Sequence, residues 1–250
     1  MHEHELWVTA LFNDHLAGVA NSILTAVGQP AQDRPWANYI TMELVVAAFI
    51  IVLFGVLKPS LSMERPGGLQ HAMEGIHGFL SDNAHDNIHH GHRRHVPFFG
   101  AIFFFVLFAN LIGVIPTFES PTMFPPVPAG VALAAFLYYN IQGFVEGGIA
   151  YIKQFTGPSM GFGFIGNTLM AILMIPIEII SHLARPMSLT IRLFANMFAG
   201  EQVTLVFLSL TYFLIPAVFM GLHIFVSLVQ AYVFALLTMI YVGMAVSHDH

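Results

Sequence analysis

The chain has 250 residues, 56% of them hydrophobic and only 9% charged, where a soluble domain carries about 25% charged residues. A net charge of −6 leaves no basic patch for phosphates, so no nucleic-acid partner is expected, and the absence of Cys excludes disulfides and thiolate metal sites. The mean hydropathy of +0.74 and the long apolar runs place the chain among polytopic, all-α membrane proteins, with the lipid bilayer as its solvent.

The first segment, residues 1–38, reads as an amphipathic outer-side element. Phe12, Leu16, Val19, Ile23 and Val27 share one helical face between residues 5 and 28, and Gly28-Gln29-Pro30 ends the pattern. The N-terminal MHEHELWVTALFNDH lacks the basic start and small-residue cleavage site of a signal peptide. With no targeting segment evident, the expected location is a bacterial plasma membrane. Residues 39–250 then form a single transmembrane domain with about five membrane helices, near 39–57, 96–118, 131–151, 160–208 and 214–246.

Between the first two spans, the polar segment 58–95 carries Lys58, Arg65, Arg93 and Arg94. Leu69, Met73, Ile76, Phe79 and Leu80 recur within it at helical spacing, predicting a short surface helix. Its histidines, among them His89, His90 and His92, lack a carboxylate arrangement that fixes a metal geometry, so a solvated loop and no metal site are expected. Basic residues at 58, 65, 93, 94 and 153 fall on one side of alternating spans and only Arg34 on the other, which puts the N-terminus outside, the 58–95 loop in the cytoplasm and, after five spans, the C-terminus in the cytoplasm. In the third span Asn140 and Glu146 stand out as polar; they face a water path or pair with the final helices. Gly130, Gly143, Gly147 and Gly148 suggest close helix approach.

The stretch from Ser159 to Ser247 contains four charged residues, Glu178, Arg185, Arg192 and Glu201. Pro176, Pro186 and Pro216 read as kinks rather than ends, and SLTYFLIP at 209–216 divides the stretch into two helices longer than a bilayer is thick, which must therefore lie strongly tilted. On the first of them Glu178, Ser181, His182, Arg185, Ser188, Arg192 and Asn196 form one polar seam, roughly 27 Å long at helical rise. Glu201 falls off it, toward another neighbour. On the second, His223, Ser227, Gln230 and Tyr241 share a face. Hydrogen bonds between helices are the expected role of Ser181, Ser188, Ser227 and Tyr241. They do not account for Arg192. Its charge is permanent, an arginine in hydrocarbon costs at least ~2.5–3.5 kcal/mol, and no acid lies three or four positions away. Its partner is expected on another chain or on a ligand.

PMSLTIRLFANMFAGEQ at 186–202 resembles the signature of subunit a of the F-type ATP synthase, and GLHIFVSLVQAYVFALLTMIYVGMA at 221–245 resembles that subunit's last helix. Ala195 stands where Gly is commoner, and His182 is an added titratable group. The resemblance implies a non-catalytic stator subunit without cofactor or metal, assembled with a c-ring and b-type peripheral-stalk subunits. It implies that Arg192 faces the rotor carboxylates as a gate between two aqueous half-channels. Glu201, His223, Asn196 and Gln230 would line the outer one, and Glu178, Ser181 and His182 the cytoplasmic one. Two other classes compete. A secondary transporter of a small anion would use Arg192 as its substrate ligand, but internal repeats and paired broken helices are missing from the sequence. A purely structural subunit would tolerate replacement of Arg192. An independent enzyme is the weakest class, since no nucleotide loop or catalytic set is present.

Overall fold

A computed structural model describes residues 5–62, 67–88, 91–115, 117–148, 151, 163–210 and 214–246. Seven α-helices are described: α1 (Trp7–Ala26), α2 (Asn38–Ser60), α3 (Gly68–Asn87), α4 (Val96–Leu111), α5 (Pro126–Gly147), α6 (Gly163–Leu210) and α7 (Leu214–Val246). Among the described residues, four helical stretches are long and apolar enough to cross a membrane: Asn38–Pro59, Val96–Val114, Leu173–Leu210 and Ala217–Val246. The fold is thus an all-α polytopic membrane protein. The 22-residue α5 has the length of a span, but Asn140, Gln142 and Glu146 dilute its apolar character.

The elements follow from local chemistry. Gly28 adopts φ 81°, and the Gln29 and Gly28 amides reach back to Leu24 and Thr25, closing α1 with a left-handed cap. The sequence places a span over 96–118, whereas α4 stops at Leu111 and tightens into a 3-10 turn at Ile112–Val114. The reason is a close reversal: a Cβ on Gly113 would sit 2.9 Å from that of Ser120. The Ser120 hydroxyl donates to the Ala109 carbonyl at 2.9 Å, and Thr122 donates to Asn110 Oδ1 at 2.6 Å, all of them buried. The span expected over 131–151 begins five residues earlier, at Pro126, since proline is preorganised for a first helical turn. It ends at Gly147, with Gly148 at φ 52°. Pro176 and Pro186 lie inside the 48 residues of α6 without ending it, as expected. Residues 211–213 of the predicted break lie outside the described residues.

Residue contacts divide the chain into two compact units, Met1–Gly67, Phe104–Val127 and Leu193–Ala231 in one, and Gly68–Phe103, Pro128–Arg192 and Tyr232–His250 in the other. In the first, Leu6, Val8 and Met42 form a core joined by Phe12, Val45, Ile112 and Phe118. Asn13 holds the turn between α1 and α2: it accepts from the Trp36 amide at 2.9 Å and donates to Glu5 at 2.7 Å. The stripe of Leu16, Val19, Ile23 and Val27 is exposed, as an interfacial helix requires.

In the second unit, α3 proves longer and more embedded than a short surface helix. Leu80, Ala84 and Ile88 are buried, Tyr232 donates to Asn83 at 3.0 Å, and a Cβ on Gly243 would meet the Asn87 carbonyl at 2.2 Å. Among the described residues Asn140 and Glu146 pair with neither final helix. Glu146 pairs with Arg94, and Asn140 accepts from Tyr151 at 3.1 Å. Tyr151 also explains Gly143, where a Cβ would meet its ring at 2.5 Å.

The histidine-rich loop is solvated only in part. His89 and His90 lie outside the described residues, and the rings of His85 and His92 meet at 4.9 Å. His95 is fully buried, 2.8 Å from the Tyr138 hydroxyl, with its Nε2 accepting from Arg94 Nε. Burial, reinforced by the Arg94 charge, holds its pKa down at about 4. The unfolded chain therefore takes up this proton near pH 6.5 and the folded chain only near 4. Stability is full above about pH 6.5 and falls as pH drops toward 4. Thermal unfolding of the detergent-solubilised protein is expected to shift downward from pH 7 to pH 5, and His95→Gln to flatten that slope.

Candidate functional site

In the first unit α6 and α7 contribute two polar pairs. The Asn196 amide donates to Gln230 Oε1 at 2.9 Å. One α6 turn further along, Glu201 lines a cavity of about 320 Å³ together with His223, Thr204, Gly113, Thr117 and Phe118. Glu201 Oε2 is buried without a hydrogen-bond partner among the described residues, and His223 Nε2 stands 3.4 Å from the Asn110 carbonyl. A buried carboxyl oxygen left unsatisfied costs about 1–3 kcal/mol, and the cavity has room for the water that would satisfy it, at about 30 Å³ per molecule. Of the four residues that share a face of α7 by spacing, His223, Ser227 and Gln230 are buried and Tyr241 is partly exposed. The off-seam position of Glu201 likewise gives it a different neighbour.

Gly200 makes room for the imidazole, a requirement the sequence did not reveal. A Cβ there would stand 3.2 Å from His223 Nδ1. If the cavity is the half-channel that the resemblance implies, Gly200→Val, with a branched side chain at that point, is expected to displace the ring and lower proton transport about tenfold, a rise of roughly 1.4 kcal/mol in the rate-limiting barrier. Gly200→Ala should cost less than threefold, and both are read as proton uptake by membrane vesicles.

In the second unit Glu178, His182 and Arg185 of the seam come together. His182 Nδ1 is 3.3 Å and Arg185 4.0 Å from the Glu178 carboxylate. The Arg185 guanidinium also lies over the rings of Tyr241 at 5.3 Å and Tyr139 at 5.9 Å. Arg185 is thus neutralised and stacked within the fold, in a partly buried site. Ser181 is half-buried beside them, and Ser188 donates to the Arg185 carbonyl at 2.9 Å.

Arg192 differs from Arg185 in every respect. It is exposed and has no hydrogen bond or ion pair among the described residues. Ala184, Ser188, Ala195 and Ala199 are exposed on α6 at spacings that put them on its side. Small residues let another helix approach closely, a signal the polar seam concealed. Exposed apolar side chains, Ile177, Ile180, Met187, Ile191 and Phe198, fill the rest of that surface.

A family model described as ATP synthase A chain matches residues 40–243. The chain is 58% identical over 241 residues to ATP synthase subunit a of Solibacter usitatus, covering 96% of this chain and 100% of that protein. It is 44% identical over 250 residues to the subunit a of Koribacter versatilis, covering 99% of both. With that of Aquifex aeolicus it shares 36% identity over 223 residues, 86% of this chain and 98% of the relative. An apolar helix bearing one partly buried and one bare arginine, and a cavity lined by a carboxyl and an imidazole, accompany full-length similarity: the chain belongs to the ATP synthase A chain family.

Proposed function

We propose that this chain is the proton-translocating stator subunit of a rotary ATP synthase, catalysing no bond chemistry itself. The observation that carries the reading is Arg192, bare on an apolar helix among small residues. A permanent cation so placed needs a carboxylate from another chain. A c-ring supplies one per subunit as it turns, and b-type peripheral-stalk subunits would hold this chain against the rotation. Arg192 attracts each arriving rotor carboxylate, favours release of its proton and blocks direct leakage between two half-channels.

Glu201 and His223, with Asn196 and Gln230 behind them, form the outer half-channel. Glu178, Ser181 and His182 form the cytoplasmic one. The N-terminus lies outside and the C-terminus in the cytoplasm of a bacterial plasma membrane, residues 39–250 acting as one transmembrane domain with α5 as its third span. The length of α6, roughly 70 Å at helical rise, suits a helix inclined along the rotor surface. Anion transport fits less well: the cavity presents a carboxyl group, Glu201, rather than the arginine. ATP-driven proton pumping by inverted vesicles tests the reading. It should be lost in Arg192→Ala while the complex still assembles.

A further inference from the structure

The cavity that holds Glu201 and His223 is closed on one side by the turn after α4, where Gly113, Val114, Ile115, Thr117 and Phe118 form its wall. That turn is unusually constrained. Thr117 adopts φ 80°, a left-handed conformation that a β-branched residue rarely occupies and that costs about 1–3 kcal/mol. The surroundings that enforce it come from α1 and α2. Phe118 packs on the Leu6, Val8 and Met42 core and meets the Trp7 ring edge-on at 6.1 Å. The next residue, Glu119, is half-buried. Its carboxylate accepts from Asn38 Nδ2 at 3.5 Å, and buried Asn38 is itself fixed by the Leu6 amide, which donates to its Oδ1 at 3.2 Å. The family match begins at residue 40, so the anchoring elements Leu6, Trp7 and Asn38 lie outside it.

From this we infer that Glu119 is the outer rim carboxylate of the proton path, held beside the cavity by Asn38 and passing protons between outside water and the Glu201–His223 cavity. The carboxylate takes a proton from bulk water, releases it to water in the cavity, and returns to its ionised form as Glu201 is protonated. Of the wall residues in that turn only Thr117 has a polar side chain, and Glu119, two residues on, is the titratable group the turn carries. The inference rests on the proton-path reading of the cavity.

Glu119→Gln separates a proton carrier from a structural acceptor. Glutamine keeps an oxygen for Asn38 and the same volume, but exchanges no proton. In inverted vesicles carrying the assembled synthase, Glu119→Gln is expected to lower ATP-driven pumping at least fivefold and Glu119→Asp to remain within twofold of wild type. Wild-type pumping in Glu119→Gln together with a dead Glu201→Gln overturns the rim role and leaves the cavity reading standing. Wild-type pumping in both overturns the cavity reading itself. Should Glu119→Gln fail to assemble, Glu119→Cys answers in this cysteine-free chain. A carboxyethyl thiosulfonate applied to the outer face of spheroplasts, from which inverted vesicles are then prepared, should restore pumping at least threefold, and its neutral methyl analogue should not. Labelling without rescue, or no labelling from outside, overturns the inference.

Discussion

Arg192→Ala is expected to abolish coupled proton pumping, by at least about a hundredfold, without unfolding the protein. The size follows from what the guanidinium does to a facing carboxyl. An opposite charge within about 4–6 Å lowers a carboxyl pKa by about 1–3 units, so removing it changes the ionised fraction roughly a hundredfold. The fold should not respond. The Arg192 side chain is exposed and holds nothing among the described residues. Substitutions at such positions fall within about ±0.5 kcal/mol, and alanine is the best helix former. Assembly, checked by co-purification of the complex, should therefore persist while pumping disappears. Arg185→Ala should behave in the opposite way. It removes the cation above Tyr139 and Tyr241 and beside Glu178, so it should lower the unfolding temperature.

Glu201→Gln is expected to lower pumping at least tenfold and to leave the unfolding temperature unchanged or raised. The carboxyl faces the cavity with one oxygen buried and unpaired among the described residues. An amide of the same shape fills that space with no charge to desolvate, so the fold loses nothing. It cannot, however, take up and release a proton. Glu201→Asp retains that chemistry with the carboxyl drawn back by one methylene, and should recover part of the activity. A drop in pumping accompanied by an equal drop in stability would instead make Glu201 a structural residue.

The sequence disclosed the helices whose chemistry is local. Gly28 ending α1, the apolar run of α2, and the unbroken pattern through Pro176 and Pro186 all rest on neighbours a few residues away. That His223, Ser227 and Gln230 share a face was legible because helical periodicity alone defines it; that the face is buried was not. The end of α4 was not. It depends on Ser120 folding back onto Gly113 and Ala109, a contact set by backbone sterics after the turn rather than by hydrophobicity before it. The same limit hid the burial of His95 among Arg94 and Tyr138, since a polar loop reads as solvated until a distant helix covers it. Arg185 and Arg192 looked alike on the seam. Only their surroundings separate them, aromatic rings and Glu178 for one and open surface for the other.

The most direct measurement takes Arg192→Ala and wild-type vesicles and follows ATP synthesis and passive proton uptake in the same preparation. If Arg192 is the barrier between two half-channels, synthesis is lost while passive uptake persists or rises, because the paths remain and only their separation is gone. Synthesis near the wild-type level would contradict the account and reduce Arg192 to a surface residue of α6.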